Sequence, residues 1–224
     1  MLKIYRAVRP NVLTQGWAEN LACTKTDANG KAIRPFKIRT ARSDGSCNAG
    51  YTKFYPAIGM KGHNGYDLAL PHGEPIYHSG DYNGWMKTEV DSSGGIGVDI
   101  VSNEEILRDN TSEASHIKLR YWHLKSVVGW DGKKISPGDL IGYGDNTGAS
   151  SGNHLHFGLK WCNKEGKGTH TNNGYYGALD LTEFYENKFV VDVFKEIVDY
   201  GMSVVLRART AIFYVRLFLK NYKR

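Results

Sequence analysis

Gly152-Asn153-His154-Leu155-His156-Phe157-Gly158-Leu159 is the stretch on which the fold reading turns. Successive side chains of a β-strand point to opposite faces, so His154 and His156 share one side while Leu155, Phe157 and Leu159 share the other. One apolar face and one polar face describe a half-buried strand of an antiparallel sheet. Two adjacent imidazoles on the polar face both need partners, and neutral imidazole is the commonest metal ligand. A plainer reading, two exposed histidines with no shared task, stays open for this segment alone.

Working outward, other short runs have the same character: Tyr66–Leu70, Gly97–Val101 and Ile117–Trp122. They are separated by glycine turns, and 26 glycines against six prolines favour a strand-rich chain over a helical bundle. The expectation is a mainly β fold built on an antiparallel sheet, with long loops and a C-terminal helical extension. Residues 102–116 and 160–178 are polar and read as surface loops. Asp131-Gly132 and Pro137-Gly138-Asp139 bracket a hairpin-like connection. Helical periodicity begins near Leu181. The expected organisation is an N-terminal segment over 1–50 packed on a central domain over 51–188, followed by an extension over 189–224.

The chain has 224 residues, enough to bury roughly 70% of the surface exposed on unfolding, so it folds without covalent staples. Its three cysteines, Cys23, Cys47 and Cys162, form no C-x-x-C pair, which argues against a cysteine zinc finger and a disulfide framework. A Cys23–Cys47 pairing is left open. No uncharged run approaches the ~18 residues of a membrane span, and Met1–Arg6 lacks the apolar core of a secretory signal. Nine Lys or Arg face two acids in residues 1–42, and six face none in 207–224. The positive charge therefore sits at the ends and the middle is acidic, which disfavours nucleic acid as the main substrate.

Four of the eight histidines complete the pattern. His63 and Asp67 form an H-x-x-x-D spacing within Gly62-His63-Asn64-Gly65-Tyr66-Asp67, where the glycines indicate a turn leading into a strand. His123 follows Tyr121-Trp122 at the end of another expected strand. Together with Gly152–Phe157, the connector Ile135–Gly142 and the turn Asn146-Thr147-Gly148, these motifs resemble the lysostaphin/LytM family of zinc metallopeptidases. The likeness covers about residues 50–186, and Val12–Trp17 is similar to the segment that opens many such domains. It implies an antiparallel sheet with a groove across it, and hydrolysis of peptide bonds in bacterial peptidoglycan. It also implies Zn²⁺ on His63, Asp67 and His156, with catalytic roles for His123 and His154. Two histidines and a carboxylate leave a tetrahedral ion one open position for water, as a catalytic site requires. Which histidine is acid and which is base stays open.

The chain departs from the family pattern at Gly158, where an acidic residue is common. Tyr51 and Tyr55 are candidates for a further transition-state contact, with packing the simpler reading. His72, His78, His116 and His170 match no motif and read as surface or structural. Lys160, Lys164 and Lys167 could meet substrate carboxylates, although a solvated charge run is the simpler explanation. The competing function is an inactive wall-binding, activating or virion-structural relative, and retention of all five site residues favours an enzyme. Without a secretory signal the localisation stays open: a phage-encoded lysin, held in the host cytoplasm before lysis or carried on a virion, would account for it, as would an unusual export route or a truncated sequence. Residues 202–224 drawn as a helix gather Arg209, Arg216, Lys220, Lys223 and Arg224 opposite an apolar face, a pattern that suits a membrane surface or a protein partner.

Overall fold

The computed structural model describes residues 2–17, 58–107 and 114–202. Tyr51, Tyr55, Cys23, Cys47 and the basic segment 203–224 lie outside the described residues. Thirteen strands are present among those described. They are β1 (Ile4–Arg6), β2 (Leu13–Gln15), β3 (Tyr66–Ala69), β4 (Pro75–Tyr77), β5 (Gly84–Asp91), β6 (Gly95–Ser102) and β7 (Ile106–Leu107). These are followed by β8 (Ala114–Val127), β9 (Lys134–Ile135), β10 (Leu140–Gly144), β11 (His154–Cys162), β12 (Ala178–Leu179) and β13 (Tyr185–Phe189). The main sheet is antiparallel and runs β2-β3-β11-β8-β6-β5-β9, with β10 joining β4 to β8. A separate parallel pair is formed by β1 and β13.

Alternation builds this sheet. Leu68 of β3, Ile100 of β6, Leu119 and Tyr121 of β8, and Leu155 and Phe157 of β11 are each fully buried in one core. Ile4, Ala7, Val8 and Leu13 enter the same core, so the described N-terminal residues belong to its packing. Burying each large apolar side chain is worth about 1.5–3 kcal/mol. Truncating Phe157 would cost about 3–5 kcal/mol, because it sits at the centre of the sheet and its cavity could not collapse.

Three expectations are corrected. Residues 102–116 are not one loop: Ser102 ends β6, β7 follows, and β8 has begun at Ala114. In the stretch 160–178, the first three residues complete β11. Helix does not start near Leu181, because Tyr185–Phe189 is drawn into pairing with β1; the helix, α1, runs from 190 to 202, where the described residues end. In each case strand pairing overrides local polarity or periodicity. Among the described residues no helix is long and apolar enough to cross a membrane.

His78 is fully buried away from the histidine face, as its structural reading expects. Its Nε2–H donates to the Tyr82 carbonyl at 2.8 Å, and Nδ1 meets the Tyr121 hydroxyl at 3.3 Å. Burial pushes its pKa from 6.5 down to about 4. Between these values only the unfolded chain takes up the proton, so stability is full above about pH 6.5 and falls as pH drops toward 4. The loss from this group is on the order of 3 kcal/mol at about 1.4 kcal/mol per unit. Urea denaturation of wild type and His78→Gln across this window should show a shallower pH dependence in the variant; parallel curves would refute the assignment.

Candidate metal centre and groove

Antiparallel pairing of β3 with β11 sets Asp67 directly opposite His156, and β8 places Trp122 on the other side of His156. His63 arrives from the turn before β3. The three sequence-identified candidate ligands converge: His63 Nε2 lies 3.0 Å from His156 Nδ1 and 3.1 Å from Asp67 Oδ1, and His156 Nδ1 lies 3.1 Å from Asp67 Oδ1. A tetrahedral ion with bonds of about 2.0–2.2 Å spaces its donors about 3.3–3.6 Å apart. The observed triangle is close to that and slightly tight, which suits a small ion better than Ca²⁺ with its bonds of about 2.3–2.6 Å. His63, Asp67 and His156 therefore fit a divalent ion of the zinc kind.

Backbone carbonyls orient the imidazoles. His63 Nδ1–H donates to the Gly16 carbonyl at 3.1 Å, which leaves Nε2 as the lone pair facing the triangle. His154 Nδ1 is held by the Gly152 carbonyl at 2.7 Å and presents Nε2 to Asp67 Oδ1 at 3.6 Å. His123 Nδ1 is held by the Thr147 carbonyl at 2.7 Å. The His123 and His154 rings lie 4.5 Å apart, and His123 is 6.1 Å from the His156 ring. All five sequence-identified residues are thus brought together.

His123 reaches this face by breaking the alternation. Tyr121 pairs with Val98 but Leu124 pairs with Ile96, so β8 carries one extra residue there. His123 takes a φ of 65° in this bulge, and its ring joins Trp122 on the groove side instead of following Tyr121 into the core. Left-handed backbone costs a non-glycine residue about 1–2 kcal/mol. The bulge is held by His123 N–H to the Gly94 carbonyl at 3.1 Å and by Asp145 N–H to the His123 carbonyl at 3.1 Å. Gly94 and Gly97 lie flat against Trp122, where a Cβ would stand 1.9 Å and 2.5 Å from ring atoms.

Protonation favours a donor set. Burial alone would raise the Asp67 carboxyl, but the imidazoles gathered around it, His63 foremost, then His156 and His154, hold it well below the usual carboxylate range. Burial lowers His156 to about 4, so it is a neutral imidazole near pH 7. Burial also lowers His123, against the opposing pull of the Thr147 carbonyl.

The groove continues along β11 past Gly158 to Lys160, with Arg120 and Trp122 of β8 on its floor and Tyr176 and Ile58 at its wall. The Tyr176 hydroxyl donates to the Ile58 carbonyl. The residue motifs gave no sign of the Gly16, Thr147 and Gly152 carbonyl tethers. Arg120 and Trp122 were also unassigned, although alternation with buried Leu119 and Tyr121 already puts them on the histidine side.

A family model, peptidase family M23, matches residues 61–172, half of the chain. Peptidoglycan DD-endopeptidase ShyA of Vibrio cholerae is 34% identical over 100 residues, 43% of this chain and 20% of that protein. Peptidoglycan DD-endopeptidase ShyB of the same organism is 32% identical over 95 residues, 42% and 20% of the two chains. The chain thus spans about a fifth of the length of these curated relatives. The catalytic domain of the antimicrobial peptidase lysostaphin from Staphylococcus simulans aligns with 55% of this chain and 79% of its own, at 20% identity and a TM-score of 0.43.

Gly65 tests the close packing behind His156. A Cβ there would stand 2.5 Å from the Phe157 carbonyl oxygen and 2.9 Å from His156 Cε1. Gly65→Ala should displace the ring and weaken zinc affinity about 10–100-fold, the usual scale for a disturbed ligand support. Gly201→Ala, whose Cβ meets nothing within 4 Å, should not. Competition with a chromogenic chelator measures both, and equal affinities would show that this contact does not position the ligand.

Proposed function

Because the chain belongs to peptidase family M23, we propose that it is a zinc-dependent endopeptidase that hydrolyses peptide bonds in bacterial peptidoglycan. The observation that carries this reading is the triangle of His63 Nε2, Asp67 Oδ1 and His156 Nδ1, flanked by two further imidazoles whose Nδ1 atoms are tethered to backbone carbonyls. The substrate class is taken from the DD-endopeptidase relatives. When bound, Zn²⁺ supplies Lewis acidity toward a peptide carbonyl and brings a water's pKa toward ~7.

The chain's own residues do the remainder. His63, Asp67 and His156 would hold the ion. Their donor atoms are pre-aligned by the Gly16 carbonyl and by the β3–β11 register, so little reorganisation is needed. His123 and His154 have Nδ1 committed to carbonyls, which directs Nε2 of each ring at the reacting centre. One Nε2 takes the proton of the attacking water, and the pair returns a proton to the leaving amine. Depression of the His123 pKa by burial keeps that ring able to accept a proton near neutrality. The β11 groove orients an extended peptide across these groups.

Purified protein loaded with zinc should release soluble peptides from peptidoglycan, identified by mass. His156→Ala should lose the metal and the activity together; full zinc content by elemental analysis would remove His156 from the ligand set. His123→Ala and His154→Ala should keep the metal and lose about 10²–10⁴ in kcat with a smaller change in KM. Turnover close to wild type in both would remove His123 and His154 from the catalytic set, and no peptide release by the zinc-loaded wild type would leave the wall-binding reading in its place.

A further inference from the structure

Beyond the metal triangle, the groove floor is basic. The sheet register stacks three rows on the histidine side: His156 beside Trp122, Gly158 beside Arg120 and Asp99, and Lys160 beside Lys118. Asp99 is fully buried and is the carboxylate paired with both Lys118 Nζ, at 2.6 Å, and Arg120 Nε, at 3.0 Å. Lys160 Nζ donates to the Tyr176 carbonyl at 2.7 Å and has no carboxylate partner among the described residues. Three cations thus stand near one buried anion that pairs with only two of them, an arrangement that favours another anion where the cations open to the groove. The guanidinium of Arg120 also lies 4.8 Å from the Trp122 ring centre, which fixes its plane.

Gly158 leaves the approach clear. A Cβ at this position would meet only ordinary contacts, 3.5 Å from the Asn64 carbonyl oxygen and 3.9 Å from Arg120 Cβ and His156 Nε2. Packing does not require glycine here. Its effect is an open floor between the triangle and the basic pair.

We propose that Arg120 and Lys160 form a subsite for a carboxylate of the peptide substrate, displaced along β11 from the bond held over His63, Asp67 and His156. A strand rises about 3.3–3.4 Å per residue, so the subsite lies roughly 7–13 Å from His156. An extended peptide advances at the same rate, which places the recognised carboxylate on the order of two to four residues from the cleaved bond. Burial and the neighbouring Arg120 and Lys118 charges lower Lys160 to about 8, and a bound carboxylate would relieve that strain. Lys164 and Lys167 are exposed in the turn beyond β11 and are not among the groove-lining residues.

This subsite rests on the peptidase reading, so its test separates the two. Cross-linked peptide dimers from cell walls are used in native form and with their free carboxylates converted to amides. Zinc-loaded wild type should favour the native form at least about tenfold in kcat/KM, the scale of one charge-assisted hydrogen bond. Lys160→Met, and Gly158→Glu, which supplies an internal carboxylate, should each reduce that ratio below about threefold; Lys164→Met should retain it. Equal kcat/KM for both dimers in wild type, or a ratio unmoved by both groove substitutions, overturns the subsite. If neither dimer is cleaved, the peptidase reading fails and fluorescence anisotropy with labelled dimers decides the subsite. Tighter binding of the native form that Lys160→Met weakens supports it, and equal or absent binding overturns it.

Discussion

Opposite one another on antiparallel strands, Asp67 and His156 form a cross-strand pair whose side chains meet at 3.1 Å on the groove side. The register that makes this pair also buries Leu68 and Leu155 on the other face. A slip of one residue would send both polar groups into the core and the leucines into the groove. The hydrophobic effect therefore enforces the position of the donor atoms, though it acts on different side chains. His63 adds the third donor, and its ring is locked by a carbonyl from the segment just after β2. The metal triangle is a by-product of a core that could hardly pack in any other register.

How much of this was readable from residues depends on what kind of information each feature carries. His154 and His156 alternate with Leu155 and Phe157, and that period of two decided both the strand and its exposed side. The H-x-x-x-D spacing was readable because Gly62 and Gly65 forbade the helical alternative. His123 was placed at the end of a strand, but β8 continues to Val127 and the histidine sits in a bulge within it. Strict alternation would have buried it with Tyr121. The bulge depends on Gly94 lying against Trp122, a contact between residues 28 positions apart that no local pattern encodes. The tethers from Gly16, Thr147 and Gly152 were equally invisible, since every residue has a carbonyl.

Charge arithmetic was similarly incomplete. Summed along the chain, the middle is acidic, which disfavoured nucleic acid as the main substrate. It could not show that Lys118, Arg120 and Lys160 fall on one side of adjacent strands, against one buried carboxylate. A sum over residues ignores faces, whereas a sheet sorts them. The helical reading from Leu181 failed for a related reason: the periodicity was real, but β1 offered Tyr185–Phe189 an edge to pair with.

The distances along the chain between the groups of the triangle bear on how the protein comes to exist at all. His63 is oriented by a residue 47 positions earlier and completed by one 93 positions later. Closing loops of that size carries an entropy cost that only the assembled sheet can offset. A chain emerging from the ribosome N-terminus first therefore holds His63 and Asp67 long before β11 has been made. Two donors without the third bind metal weakly and leave the His154 ring absent. The complete donor set, with the flanking rings, therefore assembles late and all at once, after the sheet is closed.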